Sequence, residues 1–218
     1  MRTMLIFLMS LSLCCPLTAQ QDPEAKVILD RMAEKIKQYQ SIQSDFSLIV
    51  FDHKENHKNT SNGSILVKGE KYKVASGGTT VYFNGTTMWT HAEDDNEVTI
   101  TEPDSQDDDF LSNPAKVFTF YDRDFKYVYR GETTLDSTVM DEIDLFPRDL
   151  DQPYSRFKVF IAKSTGQLAI FSAVGKDGVD ISVFLKNMVT NKVFPDAVFT
   201  FEPAKYKKIT VVDMRGLP

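Results

Sequence analysis

The chain has 218 residues, 42% of them hydrophobic and 26% charged, with a formal net charge of −6. That is ordinary globular composition, sufficient for one sizeable core and unlike the compositions of disordered or fibrous chains. The acidic balance excludes an electrostatic nucleic-acid binder and speaks against adhesion to an anionic membrane.

The first residues form a separate unit. Arg2 precedes an apolar run from Met4 to Cys15, too short to span a bilayer, and Pro16 to Ala19 lead to Gln20. This is the pattern of a cleavable secretory signal, with the cut expected after Ala19 and the mature chain in the periplasm. Lipidation of Cys14 or Cys15 is the competing outcome, opposed by the large Leu13 where such a site needs a small residue. Removing residues 1–19 leaves 24 basic and 31 acidic residues, a formal charge of −7, and no cysteine. The mature chain then has no disulfide, thiolate nucleophile or cysteine metal site, and core packing must stabilise it. Without a repeat, linker or low-complexity run, residues 20–218 read as a single domain.

Asp22-Pro23-Glu24 supplies an N-cap, a first-turn proline and an acid suited to the helix dipole, so a helix is expected from here to about Gln40. Ile28, Leu29, Met32, Ile36 and Tyr39 gather on one face of it, opposite Asp30, Arg31, Glu34 and Lys37. From Ser44 the period becomes two, with Phe46, Leu48 and Val50 on one face of "DFSLIVF". Further strands are expected at "GSILVK", "KYKVAS", "TTVYFN", "TTMWTHA", "NEVTIT", "FKYVYRGE", "VMDEIDLFP", "YSRFKVFIAK", "LAIFSAVG", "VDISVFLKN", "AVFTFEP" and "KITVVD". Asn-Gly, Gly-Gly, Thr-Gly and Asp-Gly turns between short strands indicate an antiparallel meander. A two-residue Asn84-Gly85 turn would pair Phe83 with Thr86 and Val81 with Met88, placing Val81, Phe83 and Met88 on one face and Tyr82 and Trp89 on the other. A second helix fits Phe110–Tyr121. The fold class is α+β, with helices closing one face of a curved sheet.

Catalytic patterns are missing. His53 and His57 in "HKENH" lack the glutamate that comes directly after the first histidine of a zinc-protease helix and read as a polar turn. The nine carboxylates between Glu93 and Asp109 have no glycine and no alternation of calcium-loop type, and read as a solvated loop. Asn-x-Ser/Thr triplets begin at Asn59, Asn62 and Asn84 and matter only in a eukaryotic secretory chain. No nucleophile elbow, phosphate loop or dinucleotide fingerprint occurs, so no catalytic residue, metal or cofactor is expected.

Several strands, among them "LIVF", "VYF", "VFTF", "KVFIA" and "AIFSAV", are apolar on both faces and need two apolar surroundings. In order along the mature chain, the early amphipathic helix, "SDFSLIVF", "GSILVKGEKYKV", "VYFNGTTMWTH", Asn113-Pro114, "GQLAIFSAVGKDG" and "VFTFEPAKYKKITVVDMR" resemble the motifs of the LolA family, the periplasmic carriers of outer-membrane lipoproteins. The resemblance implies an incomplete, half-open antiparallel β-barrel with helices over a concave apolar side. It implies a monomeric carrier of acylated lipoproteins, loaded by an inner-membrane ABC-type releasing complex and unloaded by an outer-membrane receptor, without catalysis. Acyl-chain cavity or lid contacts are then expected from Ile28, Met32, Phe46, Leu48, Tyr72, Val81, Met88 and Trp89. Relatives carry an arginine that latches the lid just after the lysine at the position of Lys68; here the stretch reads Lys68-Gly69-Glu70-Lys71, leaving Lys68 or Lys71 to act in its place. The alternatives are a sensor or regulatory module of the same fold, and a carrier of another lipid such as a glycolipid.

Overall fold

In the computed structural model, residues 22–102 and 125–216 are described. Helix α1 (Pro23–Lys37) begins as the sequence dictates: the Asp22 carboxylate accepts from the backbone N–H groups of Glu24 at 3.0 Å and Ala25 at 3.2 Å, and Pro23 stands where a missing N–H costs nothing. It stops at Lys37 rather than the expected Gln40, because Asn191 Oδ1 takes the Gln40 N–H (2.9 Å) as the chain turns into the sheet. Ala25, Leu29, Met32 and Ala33 are buried on its inner face.

Twelve strands come after it: β1 (Ile42–Asp52), β2 (His57–Lys68), β3 (Lys71–Ser76), β4 (Thr79–Phe83), β5 (Met88–Ala92), β6 (Glu97–Thr101), β7 (Phe125–Leu135), β8 (Thr138–Pro147), β9 (Tyr154–Ala162), β10 (Gln167–Gly175), β11 (Val179–Thr190) and β12 (Thr210–Asp213). They form one curved sheet in the order β12-β6-β5-β4-β3-β2-β1-β11-β10-β9-β8-β7. β7 and β12 lie at opposite edges and do not meet, so the barrel is incomplete. Gly77 and Gly78 join β3 to β4, as the sequence announces, at φ +58° and +77°, which residues bearing a Cβ seldom adopt. The expected helix at Phe110–Tyr121 and the acidic residues beyond Glu102 lie outside the described residues.

The main core lies on the concave face, where α1 packs with Ile42, Phe46, Ile65, Tyr72, Ile143, Leu145, Phe157, Val159 and Phe171. One close approach fixes its centre. Gly63 stands opposite Phe46 across β1 and β2, and a Cβ there would lie 2.5 Å from Phe46 Cζ and 2.3 Å from the Ala75 carbonyl oxygen. The Phe46 ring fills the space that a side chain would need.

After β11 the chain crosses the convex face as a strap. The expected strand "AVFTFEP" is not one: Asp196–Phe199 is a short 3-10 turn, and residues 200–209 join no strand. Its alternating Phe199 and Phe201 are buried (0% and 4% exposed) by packing across strands, not by joining a ladder, and Pro195 and Pro203 lack the N–H groups a ladder needs. β12 departs from the expected antiparallel order as well, because the strap carries the chain across the sheet and delivers it parallel to β6. Two lysines pin this path. Asp196 accepts from Lys68 Nζ at 2.7 Å and Lys71 Nζ at 2.6 Å, and Lys68 also donates to the Phe194 carbonyl at 2.9 Å. The two ammonium groups hold the Asp196 carboxyl at about 2, below its ordinary 3.8.

Two outcomes are expected. Gly63→Val should destabilise the fold by about 1–3 kcal/mol through overpacking against Phe46, read as a lower urea midpoint with an unchanged slope; an unchanged midpoint contradicts this packing. Because Asp196 is depressed in the folded state, its contribution is complete above the unfolded value of 3.8 and is lost as pH falls through about 2. Trp89, the only tryptophan, packs against the strap, so its fluorescence should change within that window in the native chain and lose that phase in Asp196→Asn.

Candidate functional site

The strand register assembles an apolar surface on the concave face. Phe46 stands opposite Leu185 on β11, Leu48 opposite Val183, Val74 opposite both Ile65 and Val81, and Phe83 opposite both Tyr72 and Met88. Part of this face is closed: Leu29 and Met32 of α1 and Tyr72 of β3 are each 1% exposed. Away from the helix, Leu48, Val74, Val81, Phe83, Val183 and Leu185 pack against the core and remain half-buried. The site thus has a sealed part and an open part on a single surface.

The sequence-predicted contacts divide along that line. Met32, Phe46 and Tyr72 lie in the sealed part, with Ile28 at its margin; Leu48 and Val81 lie in the open part. Met88 is half-buried, and its sulfur accepts from the Tyr72 hydroxyl at 3.6 Å. Burial pushes the Tyr72 hydroxyl up to about 12, so it stays neutral. Trp89 is elsewhere: it faces the convex side opposite Tyr82 and packs in the strap cluster with Phe201. There His91, 4% exposed, lies 5.0 Å from the Phe201 ring and 4.7 Å from that of Tyr206.

The hairpin that carries these residues has the expected faces and a different register. Phe83 pairs with Met88 and Tyr82 with Trp89, so the loop comprises residues 84–87 instead of two residues. Asn84 Oδ1 accepts from the N–H groups of Thr86 at 3.0 Å and Thr87 at 2.9 Å, and the Asn84 N–H donates to the Thr87 carbonyl. An asparagine that caps the loop competes with the tight turn an Asn-Gly pair otherwise favours. The slip is two residues, and an even slip leaves every side chain on its face.

Sequence reading missed how α1 is held. Asp22 Oδ2 accepts from the Tyr129 N–H at 3.0 Å, the contact that contributes most to lowering the Asp22 carboxyl below its ordinary value. β7 is an edge strand with a bulge between Tyr129 and Gly131, and an edge leaves backbone donors for such a use. At the other end Lys35 Nζ donates to the Thr165 carbonyl, and Gln167 Nε2 lies 3.4 Å from the Tyr39 hydroxyl. The helix is therefore tethered to β7 and to the β9–β10 turn. The ammonium groups of Lys68 and Lys71 bond to the strap, so in this arrangement they hold it and not the helix. The alternating Val183 and Leu185 of β11 were legible as a strand face, but nothing local indicated that they border Leu48.

A pocket with only about 10 Å³ of water-accessible space lies at the C-terminal end of α1, between Ile36, Tyr39, Ile42, Leu168 and Met188. Small-molecule sites usually hold about 300–1,000 Å³, so this pocket alone is too small for long acyl chains. His53 Nε2, in the β1–β2 turn, lies 2.8 Å from Asp180 Oδ2 of β11, and His57 begins β2. No helix among the described residues is long and apolar enough to cross a membrane.

A family model described as "Outer membrane lipoprotein carrier protein LolA" matches residues 16–139. No curated protein matches. Among solved structures, an uncharacterized conserved protein from Thermus thermophilus has the same fold at a TM-score of 0.55 and 13% identity, with 87% of this chain and 99% of that chain covered. A LolA superfamily protein from Nitrosomonas europaea superposes at 0.43 and 13% identity over 81% and 97%. The Mycobacterium tuberculosis lipoprotein LppX superposes at 0.48 and 12% identity over 80% and 98%.

Asp22→Ala should cost about 0.5–2 kcal/mol by removing the cap of α1, and it also frees the Tyr129 N–H. A thermal melt that matches the unsubstituted protein would show that the tether does not hold the helix.

Proposed function

We propose, from the premise that the chain belongs to the LolA family of outer membrane lipoprotein carrier proteins, that it shelters the acyl chains of lipoproteins on its concave face and carries them from the inner to the outer membrane. The observation that carries this reading is the apolar row from Met88 through Val81 and Leu48 to Val183, which α1 covers only in part. Each buried methylene is worth about 0.8 kcal/mol, so acyl chains need an apolar surface in transit and a more favourable one at delivery. The sealed part supports a carrier that opens: moving α1 off the sheet would join the small pocket to the open row and enlarge the site. The two helix tethers, of one and two hydrogen bonds, and the buried face of Ala25, Leu29, Met32 and Ala33 are what such opening must release. No bond in the cargo is made or broken, and no cofactor is needed.

In this reading residues 1–19 are a signal removed after Ala19, and residues 20–218 act as one periplasmic domain, as a monomer. It receives cargo from an ABC-type releasing complex in the inner membrane and gives it to an outer-membrane receptor. Ile28, Met32, Phe46 and Tyr72 contact cargo after opening; Leu48, Val81 and Met88 meet it first. Trp89 acts indirectly, by keeping the β4–β5 hairpin in register from the convex side.

The mature protein should bind an environment-sensitive apolar probe saturably, and a triacylated lipopeptide should displace it. Leu48→Asp with Val81→Asp should weaken this binding at least about tenfold, a difference of about 1.4 kcal/mol, while Leu150→Asp in an exposed loop should leave it unchanged. Probe binding that no lipopeptide displaces, or that is insensitive to these substitutions, would refute the reading.

A further inference from the structure

A charged cluster occupies the convex face of β7, β8 and β9, on the side away from the apolar row. Asp144 is 1% exposed, and its Oδ2 accepts from Arg130 Nε at 2.8 Å and Arg156 Nη1 at 3.3 Å. Its other oxygen, Oδ1, is buried without a partner among the described residues. The bulge in β7 produces this arrangement: the register shifts between Tyr129 and Gly131, leaving Arg130 without a partner on β8, and its side chain reaches Asp144. Lys126 and Lys158 share the face, and Lys158 is paired with Glu142 at 3.0 Å.

A carboxylate this deeply buried is costly unless cations face it. Here it has two, more than its charge requires, and both are drawn to the same oxygen. The arginine side chains are 43% and 39% exposed and each commits one N–H to Asp144; Arg130 also lies 6.0 Å from the Phe146 ring, and part of each guanidinium fork stays open to solvent. With Lys126 and Lys158 set against Asp144 and Glu142, the cluster carries two surplus positive charges on a chain whose overall balance is negative. Two oriented forks with a surplus of two charges suit a tetrahedral phosphate, whose oxygens can accept from both.

We propose that Arg130 and Arg156, oriented by the buried Asp144, form a phosphate-binding site on the convex face, for a free phosphate or the phosphodiester of a lipid headgroup. This does not rest on the carrier reading. Nor does the acidic net charge oppose it, because a local contact within hydrogen-bond range is decided by nearby charges, whereas the screened field of the whole chain governs adhesion to an extended surface.

Removing the arginines alone would strand the buried carboxylate and endanger folding, so the test variant combines Arg130→Gln and Arg156→Gln with Asp144→Asn. Lys207→Gln, on the strap, has the same net change in charge and serves as control. Calorimetric titration with inorganic phosphate, and flotation with vesicles containing phosphatidylglycerol against vesicles of phosphatidylcholine alone, are read at low salt. The native protein and the control should bind phosphate or the anionic vesicles saturably, and the combined variant should bind at least about tenfold more weakly, with melting cooperativity retained. Binding to phosphate assigns a soluble ligand, and binding to anionic vesicles alone assigns a headgroup. The proposal is overturned if the native protein binds neither, or if the combined variant binds as the native protein does, or if the control loses as much as the variant.

Discussion

A sheet whose strands are apolar on both faces must have both faces covered, because each exposed methylene costs about as much as a cover could gain by burying it. Much of this architecture stems from that constraint. On the concave side α1 buries Leu29 and Met32 in the main core; on the convex side the strap seals Tyr82, Val98 and His91 with Phe201 and Tyr206. The two covers differ in kind. The helix presents one amphipathic face to the core, whereas the strap runs past β2 to β5 on its way to β6 and relies on aromatic contacts and the lysine pair on Asp196.

The covers are also unequal in extent, and the inequality matters for function. The strap's cluster is small and its aromatic rings are closely placed, Phe201 lying 4.8 Å from Tyr206 and 5.7 Å from Tyr82. α1 leaves part of its own face uncovered, and its ends are tied by contacts to backbone at an edge strand and at a turn. Between these ends the helix is held by its buried Ala25, Leu29, Met32 and Ala33, while the strand ladders pair without it. Near β7 and β9 the convex face carries the charged cluster around Asp144 beside the apolar Met140, Phe160 and Ile170. There the bulge that re-aims Arg130 lies beside the Tyr129 N–H that receives Asp22, so one irregularity serves both faces.

Much of this fold was legible locally. Asp22-Pro23 set the start of α1, the spacing from Leu29 to Met32 chose its buried face, and alternation located β1 to β11 with turns at glycine and asparagine. The early helix, the order of the strands and the hairpin motif also resembled the LolA family, to which the chain belongs. The faces of the β4–β5 hairpin were read correctly although its register was not, because parity survives a slip of two residues. The segment around Phe199 and Phe201 was misread because period-two burial can arise from packing across a sheet as well as from pairing within one.

The sequence alone determined which residues must leave water and at what period, since side-chain hydrophobicity and backbone preference act over neighbouring positions. It determined the helix cap, the turns and the acidic charge. Only the tertiary structure decided which apolar face each cover meets, that Val183 borders Leu48, that Lys68 and Lys71 clasp Asp196, and that Asp22 reaches Tyr129. These are contacts between residues more than a hundred positions apart, and their partners are selected by sheet order, strap path and strand bulges, which no local pattern encodes.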